Sequence, residues 1–344
     1  MPTGFTSTQP SVSLKRRFLS PQTAISVIGL GAVLGLLLMR FDIAWGDTWD
    51  IVRTLDVRWY LLAFLVHYLT FIFRGARWRL LLQNASRRDG GPVPSVAYAG
   101  RVILMSWFAN SVTWFRMGDA YRAFAYAEDT RTSFPRSMGT VVADRLVDLI
   151  VVVALMLAGV IILLIGGQIA PPVLLLALAG TLLVAIAAGL LGMVFAGRWI
   201  TPRLPRRIGD LYQRFHDGTM GSFGRPHLVL ALGIMAWLCE VGRLFFVVMA
   251  VGTPIALGLV LFVPMANGLL SAIPLTPGGL GIVEAGIAGL LRLELSVEAA
   301  LAVALVDRTI SYLSTIVFGG AIFIARQLGR ARRGGMLING GQDD

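Results

Sequence analysis

The sequence predicts an all-α polytopic integral membrane protein, with about six full spans plus two re-entrant or broken helical hairpins of opposite orientation. Three observations carry this expectation. Charge-free runs at 22–39, 149–197 and 244–283 are 18, 49 and 40 residues long, whereas one bilayer crossing needs roughly 20 apolar residues. Charged residues make up 14% of the chain and hydrophobic ones 56%, against about 25% charge in a soluble domain. The third run also contains "AIPLTPGGLGIVEAG", residues 272–286, in which Pro274, Pro277, Gly278, Gly279 and Gly281 break any helix just before an acid, Glu284.

Residues 1–21 read as a basic tail, held in the cytoplasm by Lys15, Arg16 and Arg17. The run at 22–39 ends at Arg40 without a small-residue cleavage site, so it reads as a retained first span. Asp42, Asp47, Asp50 and Asp56 dominate the next loop, as suits the outside. A second span, 58–73, leads back to arginines at 74, 77, 79, 87 and 88. The segment 96–115 either crosses or dips in and returns. The re-entrant reading is preferred because it keeps Arg116, Arg122, Arg131 and Arg136 inside.

The run 149–197 divides into two spans around an uncharged outside turn at 166–172. The loop 198–227, with six arginines, belongs in the cytoplasm. It reads equally well as an amphipathic surface helix bearing Ile208, Leu211, Tyr212 and Phe215 or as a solvated connector. A span at 227–251 goes out, and the last, 299–325, returns to Arg326, Arg330, Arg332 and Arg333. The stretch 255–291 must therefore begin and end outside, and its Pro-Gly break makes it a second hairpin, opposed to the first. Opposed discontinuous segments mark transporter sites near the midplane, and non-helical backbone at that depth must line a cavity or be buried in protein. Residues 22–328 form one transmembrane domain, and 329–344 read as a disordered cytoplasmic tail.

The net charge of +11 comes from 29 arginines and one lysine. In a chain this apolar, positive cytoplasmic loops explain it, and no nucleic-acid partner is expected. A single cysteine, Cys239, excludes an internal disulfide and a thiolate metal cluster. Lys15 lies in no Gly-rich phosphate loop, and His67, His216 and His227 fall into no metal spacing. No nucleophile elbow or dinucleotide fingerprint occurs. No cofactor, no metal and no catalytic residue is expected.

Ionisable residues within spans are candidates for function. Glu240 and Arg243 sit i,i+3 and read as a self-contained ion pair or as part of a site. Asp144, Arg145 and Asp148 open the run after residue 143; Arg145 can pair with Asp148, leaving Asp144 less accounted for. Asp307 and Arg308 are adjacent, point about 100° apart on a helix and need partners elsewhere. Glu284 suits Arg308, and Arg243 suits Asp307. These are either site residues or a structural network. In "NSVTWFRMGDAYRAF", residues 110–124, Arg116 and Arg122 flank Asp119; paired guanidinium forks suit a phosphate headgroup, and snorkelling at an interface is the alternative. Arg74, Arg77 and Arg79 with Trp78 read better as interface anchors.

Together "RGARWRLLL", "NSVTWFRMGDAYRAF", "ADRLVDL", "PLTPGGLGIVEAG" and "LVDRTISYLSTIVFGG" resemble the flippase-like, or lysylphosphatidylglycerol synthase transmembrane-region, family over about residues 20–328. Trp114 departs from the proline expected before the arginine of the second motif. The resemblance implies a translocator of a phospholipid or lipid-linked headgroup in a bacterial inner membrane, without the aminoacyltransferase domain that follows in the best-known relatives. On the translocator reading, the charges above make Arg116, Asp119, Arg122, Asp144, Arg145, Asp148, Glu284, Asp307 and Arg308 the candidate substrate-binding residues. A membrane-embedded transferase on a lipid or polyprenyl phosphate, and a scaffold for a lipid-modifying enzyme or glycosyltransferase, are the alternatives.

Overall fold

The structure, a computed structural model, describes residues 45–87, 90–113, 117–166, 205–272 and 277–339, with isolated positions between 173 and 192. The expected first span at 22–39, the second half of 149–197, Arg116 and Pro274 lie outside these. The described helices are α1 (Trp45–Arg53), α2 (Val57–Ala85), α3 (Val96–Val112), α4 (Met117–Thr130), α5 (Phe134–Ile165), α6 (Arg206–Gly221), α7 (Pro226–Val251), α8 (Leu257–Ala272), α9 (Ile282–Leu291), α10 (Val297–Arg308) and α11 (Thr315–Asn339). A one-turn 3₁₀ segment, Pro277–Gly279, joins α8 to α9, and a π turn, Thr309–Ser314, joins α10 to α11. No strand occurs among the described residues.

Local chemistry sets the ends. Asp56 and Ser95 cap α2 and α3 by accepting backbone N–H bonds at 2.9 and 3.1 Å. Pro226 opens α7 where its missing N–H costs nothing, and Gly252 closes it in the left-handed region. Four helices are long and apolar enough to cross a bilayer: Val57–Ala85, Phe134–Ile165, Pro226–Val251 and Val297–Arg330. Their burial pattern is the reverse of a soluble protein's. α2 exposes Leu61, Leu65, Leu69 and Ile72 and buries Arg74 and Arg77, while α5 exposes Leu157, Ile161 and Leu164. This is a multi-pass membrane protein.

The contacts fix helix directions. α2 and α7 run antiparallel, with Asp56 N–H on the Ala250 carbonyl, Thr70 on Ala236 and Asn84 on Ser222. α5 is also antiparallel to α2, through Arg74–Asp148, Arg77–Asp144 and Arg136 on the Ala85 carbonyl. α3 and α4 fold back on one another: Gly118 N–H reaches Asn110, and Tyr98 reaches Asp129. α8 and α9 do the same, with Gly286 against Leu270 and Ala256 N–H on Glu294. The α3–α4 hairpin has its base beside the Ala85 end of α2, where Arg79 bonds the Pro94 carbonyl. The α8–α9 hairpin has its base beside the Asp56 end. The two hairpins therefore enter from opposite ends of the bundle, and their tips meet: Tyr312 donates to the Ser111 carbonyl beside Gly278.

Three expectations change, and one open alternative, the helix in 198–227, is decided. α2 continues to Ala85, so Arg74 and Arg77 are buried inside a helix and are not interface anchors; Arg79 alone of the three bonds an exposed partner. The helix carrying Asp144, Arg145 and Asp148 begins at Phe134, which puts Asp144 about 15 Å along α5 by helical rise instead of at its start. The 198–227 loop contains a helix, α6, which packs Gly218 against the Arg136 carbonyl and leaves Ile208 and Leu211 exposed. The helix α11 runs to Asn339, through most of the stretch read as a disordered tail.

Candidate functional site

A cavity of about 520 Å³ lies where the hairpin tips meet. α5 gives it an apolar wall through Val142, Leu146, Leu149 and Val152, spaced to share one helix face. The same helix brings Arg145 and Asp148 to the lining, and other elements add Arg74, Arg243 and Arg308 with Asp119 and Glu240, and the tip residues Ser111, Gly278 and Gly279. A chamber lined by both apolar side chains and charged ones suits an amphiphile.

The charges are arranged in three linked groups. Asp148 on α5 accepts from Arg74 at 3.1 Å, lies 2.8 Å from Arg77 Nη2 and accepts from Trp237 Nε1 at 2.9 Å. Arg74 lies over the rings of Trp107 and Trp237 at 5.1 and 5.0 Å, a cation–π setting that partly replaces its lost hydration. Arg145 grips Asp119 bidentately at 2.6 and 3.0 Å and reaches Asp148 at 3.4 Å. Asp144 takes Arg77 at 2.7 Å and Arg122 at 2.8 Å.

The second group centres on Arg243, which bonds Glu240 on its own helix and Asp307 on α10, the latter at 2.7 Å. Arg243 and Glu240 are thus not a self-contained pair. In the third, Arg308 donates to Glu284 at 2.6 Å and to the Gly278 carbonyl at 3.1 Å, and it lies over Tyr312. The other Glu284 oxygen accepts from Gly281 N–H at 2.6 Å, capping α9. Gly278, Gly279 and Gly281 have φ of 61°, 73° and 83°, the region where L side chains are strained. The break at Pro277–Gly279 is therefore a left-handed turn that turns the Gly278 carbonyl to Arg308 at the cavity edge.

Among the described residues, Arg74, Arg77, Arg122, Arg145, Arg243 and Arg308 bond six carboxylates: Asp119, Asp144, Asp148, Glu240, Glu284 and Asp307. Such a set, drawn from α2, α4, α5, α7, α9 and α10 and largely buried, is tolerated only because each charge finds a partner.

A model of the lysylphosphatidylglycerol synthase TM region matches residues 24–319. The chain belongs to that family. No curated protein matches it. The family domain spans both hairpins and all three charge groups.

Within this family domain, the structure brings Asp119, Arg145, Asp148 and Arg308 to the cavity wall, with Glu284 and Asp307 one bond behind it. Arg122 is elsewhere. It is 1% exposed, stacked on Trp78 at 4.5 Å and paired with Asp144, so it holds α4 to α5 and does not face the cavity. Asp144 likewise bonds two arginines behind the wall, and Arg145 spends its fork on Asp119 more than on Asp148. Trp107, Trp237 and Tyr312 were not anticipated. Tyr312 stands four residues after Arg308, a spacing that places both on one helix face. Among the described residues, no group of three or more His, Cys, Asp or Glu side chains is placed to hold a metal ion.

Proposed function

We propose that this chain moves a membrane lipid with a phosphate-bearing headgroup across the bilayer without changing it covalently. The observation that carries the reading is the cavity at the meeting point of two opposed hairpins, lined by both arginine donors and apolar side chains of α5. The phosphate would meet Arg74, Arg145 and Arg308, whose planar donor forks match its oxygens, while the acyl chains stay against α5. Two more spans, at 22–39 and in the second half of 149–197, complete six. The end of the molecule with Arg87, Arg131, Arg206, Arg207 and Arg225 faces the cytoplasm of a bacterial inner membrane, with both termini. The end with Asp47, Asp50, Asp56 and Glu294 faces out.

The test is reconstitution into liposomes carrying a labelled phosphatidylglycerol. The expected result is label appearing in the opposite leaflet with the lipid chemically intact. A covalently altered product would instead support a membrane-embedded transferase, and no movement across several lipid classes would support a scaffold.

A further inference from the structure

Glu240 and Asp307 share a single arginine. Arg243 bonds Glu240 Oε2 through Nη1 and Asp307 Oδ1 through Nε at 2.7 Å, with Nη2 3.4 Å from Asp307 Oδ2. Asp307 also accepts from the Ser311 hydroxyl at 3.3 Å and is 1% exposed, so both its oxygens are taken. His67 on α2 brings Nδ1 to 3.2 Å from Arg243 Nη1. A guanidinium only donates, so Nδ1 accepts, and the ring is the neutral Nε2–H tautomer. Its Nε2 is buried without a hydrogen-bond partner.

With both carboxylates ionised, this cluster carries one more negative charge than Arg243 offsets, which is costly in a buried place unless another cation stands near it. Of the other charged or titratable groups facing Glu240, Arg74 is the one that offsets it. Arg74 on α2 holds Nη2 3.9 Å from Glu240 Oε1, an ion pair without a hydrogen bond, and its other partner, Asp148 on α5, is also paired with Arg77 and Arg145. Cys239 precedes Glu240 and is a thiol. The packed face of α8 offers Asn267 and no ionisable side chain. Glu240 Oε1 is itself buried with no hydrogen-bond partner, and Glu240 lines the cavity.

We propose that Glu240 is a proton-binding site, and that a proton binds there together with each phosphate-bearing headgroup in the cavity. This rests on the translocator reading above. A phosphate drawn to Arg74 takes that cation's field away from Glu240 and adds its own negative charge within the same chamber. The group that answers is the carboxylate oxygen lacking a donor. A proton from cavity water forms an O–H bond on Oε1, the cluster becomes neutral, and the proton leaves as the lipid leaves. No electron moves, and the only exchange is with solvent. Lipid and proton thus travel in the same direction, and a transmembrane proton gradient drives the lipid.

The test is calorimetric titration of the purified protein in detergent with dioctanoyl phosphatidylglycerol, repeated in buffers of different ionisation enthalpy. Wild-type protein should take up about one proton per lipid bound. Glu240→Gln, which keeps the shape, should bind the same lipid with no proton uptake. Equal uptake in the variant, or binding without uptake in the wild type, overturns the proton site and leaves the translocator reading standing. Absence of lipid binding overturns both. A second arm needs no variant: in wild-type liposomes, lipid flux should rise when an imposed pH gradient points along the lipid's direction of travel and fall when it is reversed. Flux indifferent to the gradient sinks the proposal.

Discussion

Arg308 holds two separated parts of the second hairpin at once, the Glu284 carboxylate at 2.6 Å and the Gly278 carbonyl at 3.1 Å. Both side chains are partly exposed, at 13% and 22%, and Arg308 lines the cavity. Water can therefore solvate either charge when the other is removed, and the cost of breaking the pair stays near 1–2 kcal/mol instead of the several expected in a sealed site. Glu284→Gln and Arg308→Gln should fold and lose about 3–6 °C of thermal stability in detergent, while lipid flux in liposomes falls about tenfold or more. A folded Glu284→Gln with unchanged flux would remove this pair from the proposed path.

Asp144 sits between two buried guanidiniums, Arg77 and Arg122, and its loss should behave differently. Asp144→Asn leaves Arg122 without its carboxylate and Arg77 with Asp148 alone, away from the cavity, where no water replaces the lost charge. The expected loss is about 3–5 kcal/mol, read as failure to survive detergent extraction or a large drop in melting temperature. A variant with near-normal stability would mean that water reaches this group, contrary to its burial.

The Pro-Gly turn offers a test of backbone shape. At Gly278 the φ of 61° disfavours any Cβ, and one placed there would lie 2.4 Å from the Tyr312 ring. Gly278→Ala should cost about 1–2 kcal/mol from backbone strain alone, and more from displacing Tyr312. Combining it with Tyr312→Ala should recover the second part but not the first. Strictly additive losses in the double variant would show that the ring and the turn do not press on each other.

Opposed hairpins make a topological prediction. With Cys239 replaced by alanine, single cysteines at Glu128, near the base of the first hairpin, and at Arg292, near the base of the second, are both on exposed positions. An impermeant thiol reagent should reach them from opposite sides of the membrane. Labelling of both from one side would contradict the proposed arrangement in the bilayer.

The sequence made some of this legible and hid the rest for physical reasons. Two prolines and three glycines inside an apolar run can only be a break, and the break is where the structure puts a left-handed turn. Adjacent Asp307 and Arg308 had to seek different partners, and the bonds to Arg243 and Glu284 follow from that geometry. Hydropathy failed at Arg74 and Arg77. It ends a span at the first cluster of charges, whereas α2 continues and buries them against carboxylates 67 and 74 residues away. Arg122 misled for the opposite reason: a fork beside a Gly-Asp turn looks available to phosphate until the fold supplies Asp144 and Trp78. Long-range pairing of like-looking arginines is not written in local spacing.

The π turn at Thr309–Ser314 has a consequence for how the last helix is phased. Its wider turn holds one residue more than an α-helical turn would, so the two halves of the rod are set apart by about 100° relative to an uninterrupted helix. That offset lets Asp307 look toward α7 while Gly319 and Gly320 look toward Phe108 on α3. Removing one residue from 309–314 would straighten the rod and rotate one of those faces away from its neighbour. The same extra residue can pass along a helix by exchanging hydrogen-bond partners one step at a time, with no unfolding. Such a step would re-aim Tyr312, the side chain that joins the two hairpin tips, as a gear tooth moves when its shaft is turned.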